Sequence, residues 1–235
     1  RVGQARLPAG AAATDGERPA PQAVALRWLT LLGLSVTAGW WLLGLLGTRL
    51  TARSRRLALT GAAVALLADL ALVPLTAYLP TGNLPRQSLS AALSVMPTPW
   101  LVRVALDAAI VALIGLLALP ALRRRWRPLL GLGGLLTAAA VLTLTLTSHS
   151  AARESYRPLA IALNAAHLES IVFWIGGVVH LATTPRLWRE QGNPALRRFS
   201  RLALVLVPVA FLAGAANAGV LLPLSRPPWT SPYGR

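Results

Sequence analysis

Three histidines lie in or beside apolar stretches of this chain, and their side chains are the ones best suited to bind a metal. His167 and His180 lie in AAHLESIVFWIGGVVH, and His149 lies in TLTLTSHSAARES. Neutral imidazole is a common ligand for copper, zinc and other borderline metals. The chain has no cysteine, which excludes thiolate ligation and thiol catalysis.

Spacing decides which histidines can share a metal. His167 and His180 are 13 residues apart, which is about 20 Å along a helix axis, so they belong to different sites. A short loop joins the segments of His149 and His167, so we expect two antiparallel neighbouring helices with both imidazoles near one pocket. Met96, in an outer loop, adds a soft ligand for Cu(I). The alternatives are histidines that only hydrogen-bond and a methionine that only packs.

Carboxylates also lie inside apolar runs, where an ionised group costs roughly 2.5–3.5 kcal/mol on insertion scales. Asp69 has no partner nearby in sequence and is a candidate proton or ion relay; a neutral, hydrogen-bonded carboxyl is the alternative. Arg103 and Asp107 are four residues apart, which predicts an ion pair within one helix. Glu169 and His180 are candidates for later steps of a pathway or for proton movement.

Long apolar segments must position these groups. Hydrophobic residues make up 55% of the chain and charged residues only 13%, a balance typical of membrane proteins. Segments apolar on all sides exclude the alternating pattern of a β-barrel. The sequence therefore predicts an all-α, polytopic transmembrane bundle of about six spanning helices, near 25–47, 57–80, 100–120, 129–147, 158–184 and 202–224.

Arginine explains most of the net charge of +16, and its placement argues against a nucleic-acid partner. The arginines cluster between the first and second, third and fourth, and fifth and sixth predicted helices. By the positive-inside rule these loops are cytoplasmic, so both ends of the chain are predicted to lie on the outer side of the plasma (inner) membrane. The lipid bilayer is thus the first predicted partner.

Composition divides the chain into two parts. Residues 1–24 are rich in Ala, Pro and Gly and predict a flexible periplasmic or extracellular linker. Residues 25–235 form the predicted membrane domain, which ends in a turn-rich segment and is expected to be truncated at its C-terminus. No phosphate-binding loop signature occurs, and we expect no enzymatic activity. Gly176 and Gly177 predict close approach of a neighbouring helix.

Two stretches resemble the copper resistance D (CopD) family of membrane proteins. They are SHSAARES followed by LNAAHLESIVFWIGGVVHL, and RRFSRLALVLVPVAFLAGAANAGVLL followed by WTSPYGR, with an extra Ser231 and Pro232 in the last motif. The opening RVG and its linker resemble the junction to a periplasmic CopC-type copper-binding domain. The resemblance implies His149 and His167 as metal residues, with Trp174 and Asn217 as motif residues.

The family resemblance implies copper ions as cargo, delivered on the outer side by a CopC-type protein or fused domain and taken up across the membrane. Two other functions remain open. One is a haem-bearing redox protein with the iron between His149 and His167, and the other is a membrane subunit that binds copper without transporting it. Secondary or pathway residues are Met96, Asp69, Glu169, His180, Trp174 and Asn217.

Overall fold

The structure is a computed structural model, and it describes residues 20–48, 51–78, 98–124, 127–146, 156–183 and 194–221. All regular elements in these ranges are helices, which confirms the all-α prediction. The six helices are α1 (Pro21–Leu45), α2 (Ala52–Tyr78), α3 (Thr98–Arg124), α4 (Arg127–Leu146), α5 (Arg157–Thr183) and α6 (Pro194–Leu221).

Local chemistry sets the ends of α1. Pro21 occupies its first turn, where the missing N–H costs no hydrogen bond. The helix thus begins four residues before the predicted linker boundary at residue 25. At its other end Gly47 has a φ of 91°, and the Thr48 N–H donates to the Leu43 carbonyl at 2.9 Å. This is a Schellman ending, which a glycine in the left-handed region allows.

Helix α1 is the centre of the bundle and packs against α2, α4 and α5. Its Trp40 and Trp41 are fully buried, with ring centroids 4.6 Å apart in an edge-to-face arrangement. Gly133 of α4 makes room for Trp41, because a Cβ at that position would overlap the indole ring. The three largest fully buried apolar side chains, Trp40, Trp41 and Leu34, therefore all come from α1.

Glycines bring the α1 backbone close to two neighbours. A Cβ on Gly33 would overlap α2 at Gly61, and a Cβ on Gly39 would overlap α5 at Gly176. Gly177 receives the Phe199 ring of α6. The close helix approach predicted at Gly176 and Gly177 is thus confirmed, and packing is the role of both residues.

Many large apolar side chains point away from the core, as expected of a lipid-facing surface. Leu67, Leu135, Leu204 and Phe211 are each 66–76% exposed, far more apolar surface than a soluble monomer presents. Five of the described helices are long and apolar enough to cross a membrane. In α3 the apolar part covers only Val104–Ala118, so the sixth crossing stays a prediction.

Candidate functional site

His167 lies on α5 with its ring against α6. Its Nδ1 is 2.6 Å from the carbonyl oxygen of Ala210. Because a carbonyl only accepts, Nδ1 is the donor, and in the neutral ring the lone pair is then on Nε2. Metal-binding histidines commonly have their second nitrogen fixed in this way.

Gly214 provides the space for this ring position. A Cβ at residue 214 would lie 2.6 Å from Nδ1 of His167 and 2.7 Å from Cε1, closer than side chains tolerate. Asn217 follows one turn later on the same face of α6. It is only 9% exposed, and its Oδ1 meets no donor among the described residues. The motif residues Gly214 and Asn217 thus lie on the helix face that meets the histidine.

The contact between Gly39 and Gly176 fixes the depth of His167. Helices α1 and α5 run in parallel, since Leu43 and Leu181 meet in one cluster beyond that contact. His167 precedes Gly176 by nine residues, and Thr30 precedes Gly39 by nine residues. Both therefore lie about 14 Å from the glycine contact, towards the N-terminal ends of α1 and α5.

The partners predicted for His167 lie outside the described residues. His149 comes three residues after Leu146, where α4 ends in the structure, so its Cα is within about 11 Å of that of Leu146. Helix α4 packs against α5, as the short loop predicted. Met96 also lies outside the described ranges. The pairing of His149 with His167 therefore stays a prediction.

Four helices meet at a buried pair of carboxyl groups. The carboxyl groups of Asp69 of α2 and Asp107 of α3 are near enough to interact, and the two residues are 6% and 5% exposed. The Thr30 hydroxyl of α1 donates to Asp69 Oδ1 at 2.8 Å, and the Thr143 hydroxyl of α4 contacts Asp107 Oδ1. These contacts put the pair near the level of Thr30, and so of His167.

The sequence did not predict this pair, because its members are 38 residues apart and no local pattern joins them. A carboxyl group within an apolar segment needs a hydrogen-bonding partner, but the sequence does not show which residue provides it. Asp69 has two partners, Thr30 and Asp107, which come from other helices. The side chain of Arg103 lies outside the described part of the chain, so its predicted ion pair with Asp107 is untested.

His180 serves as a link between helices. It is 2% exposed, and its Nε2 donates to the Val36 carbonyl of α1 at 2.7 Å. His167 bonds to α6 instead, so the two histidines occupy separate places. Trp174 packs at the cluster of Leu43, Leu181 and Phe199. Glu169 is half-buried on α5.

No group of three His, Cys, Asp or Glu side chains comes together within the described ranges. His149, the second ligand predicted for a metal at His167, lies outside these ranges. Comparison of the chain with known protein families, curated proteins and solved structures found no match. Assignment to the copper resistance D family consequently remains a prediction from the residues.

Proposed function

We propose that this chain binds copper ions through His167 and His149 on the outer side of the plasma membrane and carries them inwards. The observation that supports this most is the fixed ring of His167. Its Nδ1 is held by the Ala210 carbonyl, so Nε2 is held in one place with its lone pair available.

The reach of the chain supports His149 as the second ligand. Thr143 of α4 contacts Asp107, which neighbours Asp69, and Asp69 bonds to Thr30. Thr143 is therefore at about the same depth in the bundle as Thr30 and His167. His149 follows Thr143 by six residues, so its Cα lies within about 21 Å of that of Thr143 in any conformation. Since α4 and α5 pack together, this reach is compatible with a site shared by His149 and His167.

The donor set favours copper as the cargo. Copper binds imidazole more tightly than most divalent first-row metals do, and Met96 would favour Cu(I) in particular. Asn217 lies one turn beyond Gly214 on the face of α6 that meets His167, and its amide is a weak ligand for a soft ion. The proposal includes a periplasmic CopC-type carrier as the source of the ion.

Uptake of radioactive copper into vesicles that contain the purified protein tests the proposal. His167→Asn keeps an N–H donor where Nδ1 stands but has no atom in place of Nε2, so we expect uptake to fall to that of protein-free vesicles. His180→Gln is the matched control, since its amide can still donate to Val36, and it should retain uptake.

Three results would contradict the proposal. Equal uptake by wild type and His167→Asn would remove His167 from the pathway. Copper binding without uptake by the wild type would favour a subunit that binds the ion and does not transport it. A Soret band in the purified protein would favour the haem-bearing alternative.

A further inference from the structure

The carboxyl pair of Asp69 and Asp107 has more negative charge than its surroundings can satisfy. Each side chain receives one threonine contact, from Thr30 and Thr143 respectively. Oδ2 of Asp69 is buried and meets no N–H or hydroxyl donor in the part of the chain that the structure describes. Two ionised carboxylates beside each other would repel strongly in such a buried site.

One proton removes this conflict. A carboxyl that keeps its proton can donate to its neighbour, which supplies the missing donor and lowers the charge of the pair from two to one. Proton binding is then a property of the pair and not of either residue alone, as in other carboxyl dyads.

The contacts of Thr143 fit a protonated pair. Its hydroxyl has one hydrogen and two oxygen neighbours, Oδ1 of Asp107 and the Ala140 carbonyl at 2.7 Å. That hydrogen can satisfy only one of the two oxygens, so Oδ1 of Asp107 lacks a donor whenever the hydroxyl bonds to the carbonyl. The two threonines therefore leave carboxyl oxygens of the pair unsatisfied, and one proton held between Asp107 and Asp69 lowers the charge on them.

Other charged groups near the pair come from α1, α3 and α5. Arg27, one turn before Thr30 on α1, is exposed, and Glu169 is on α5, near the level of Thr30. Arg103 lies one turn before Asp107, and its side chain is not among those described. The remaining charged residues of α2, α3 and α4 lie at the opposite helix ends: Arg53, Arg55, Arg56, Arg123, Arg124 and Arg127.

We propose that Asp69 and Asp107, held together where α1, α2, α3 and α4 meet, form a proton-binding site in which the two carboxyl groups share one proton. The proton closes the contact between α2 and α3. Its loss leaves two negative charges face to face and drives these helices apart. The site therefore couples proton binding to the packing of the bundle, a property independent of whether His167 binds copper.

Infrared spectroscopy of metal-free protein in lipid bilayers tests this site, because a protonated carboxyl has a C=O band that shifts in D₂O. We expect the band in the wild type at neutral pH and expect Asp69→Asn and Asp107→Asn each to remove the same part of it. The double variant should lose no more than either single variant, since only one proton is shared. Glu169→Gln is the control and should leave that part unchanged.

Five outcomes would overturn the proposal. A wild type without the band would mean that both carboxylates are ionised. Additive losses in the double variant would mean two independent protons, and loss of the shared part in Glu169→Gln alone would assign the proton to Glu169. A band that disappears on adding Na⁺ would make the site one for an alkali cation. Thr30→Val, which leaves both carboxyls in place, should shift the band; no shift would also contradict the shared site.

Discussion

Gly39 of α1 and Gly176 of α5 bring two helix backbones into direct contact near the centre of the bundle. This contact relates the depths of the two candidate sites. His167 precedes Gly176 by nine residues on α5, and Thr30, the partner of Asp69, precedes Gly39 by nine residues on α1. His167 and the carboxyl pair consequently lie in one polar layer.

Gly176→Ala tests this backbone contact. The added Cβ would overlap the Ser35 carbonyl of α1, so α1 and α5 must separate, and we expect a loss of about 1–3 kcal/mol in stability. Thermal unfolding in detergent measures the change. Gly131→Ala on α4 is the control, because nothing lies within 4 Å of its new Cβ, and alanine there should be neutral or stabilising. Equal melting temperatures for the two variants would contradict the packing.

Gly214→Ala tests the position of the His167 ring against α6 and leaves the histidine itself in place. The methyl group would displace the ring from the Ala210 carbonyl, and we expect copper affinity to fall by about 10-fold or more, as for other groups that orient a ligand. Competition with a chelator of known affinity measures it on folded protein. Gly219→Ala, on the same helix in open space, should bind copper as tightly as the wild type.

His180→Ala separates stability from copper binding. Loss of the bond to Val36 and of a buried ring should lower the free energy of unfolding by about 2–4 kcal/mol. Copper stoichiometry should not change, because His180 lies about 20 Å from His167 along α5. Unfolding curves and metal analysis of the same sample check both points. A lower stoichiometry would return His180 to the copper pathway.

Thr30→Val measures the support that α1 gives to Asp69. The side chains are similar in size, but the variant leaves Asp69 Oδ1 without its donor, and we expect a loss of about 1–3 kcal/mol. Thr137→Val is matched to it, since Thr137 is also fully buried but bonds to Gly133 in its own helix. Equal losses in the two variants would show that the interhelical bond contributes nothing.

The bundle itself was predictable, since long apolar runs and turn-rich breaks are properties of local sequence. The close approach at Gly176 was also predictable, because small residues in apolar helices permit little else. The start of α1 at Pro21 differs from the predicted boundary because hydropathy does not detect a helix turn that precedes the apolar residues.

Side-chain partners across helices were not predictable in the same way. Asp69 and Asp107 meet only because the packing of α1, α2 and α3 brings them together, and hydropathy carries no information about helix rotation. The role of His180 was missed for the same reason, as its partner is a backbone carbonyl of α1. A buried histidine identifies a need for a hydrogen bond but not the atom that meets it.

X-ray absorption spectroscopy of the copper-loaded protein tests the central claim most directly, because imidazole ligands give a distinct scattering pattern around the metal. We predict two imidazoles in the wild type and in His180→Gln, one in His167→Asn and one in His149→Asn. A copper site with the same number of imidazoles in His167→Asn as in the wild type would contradict the account.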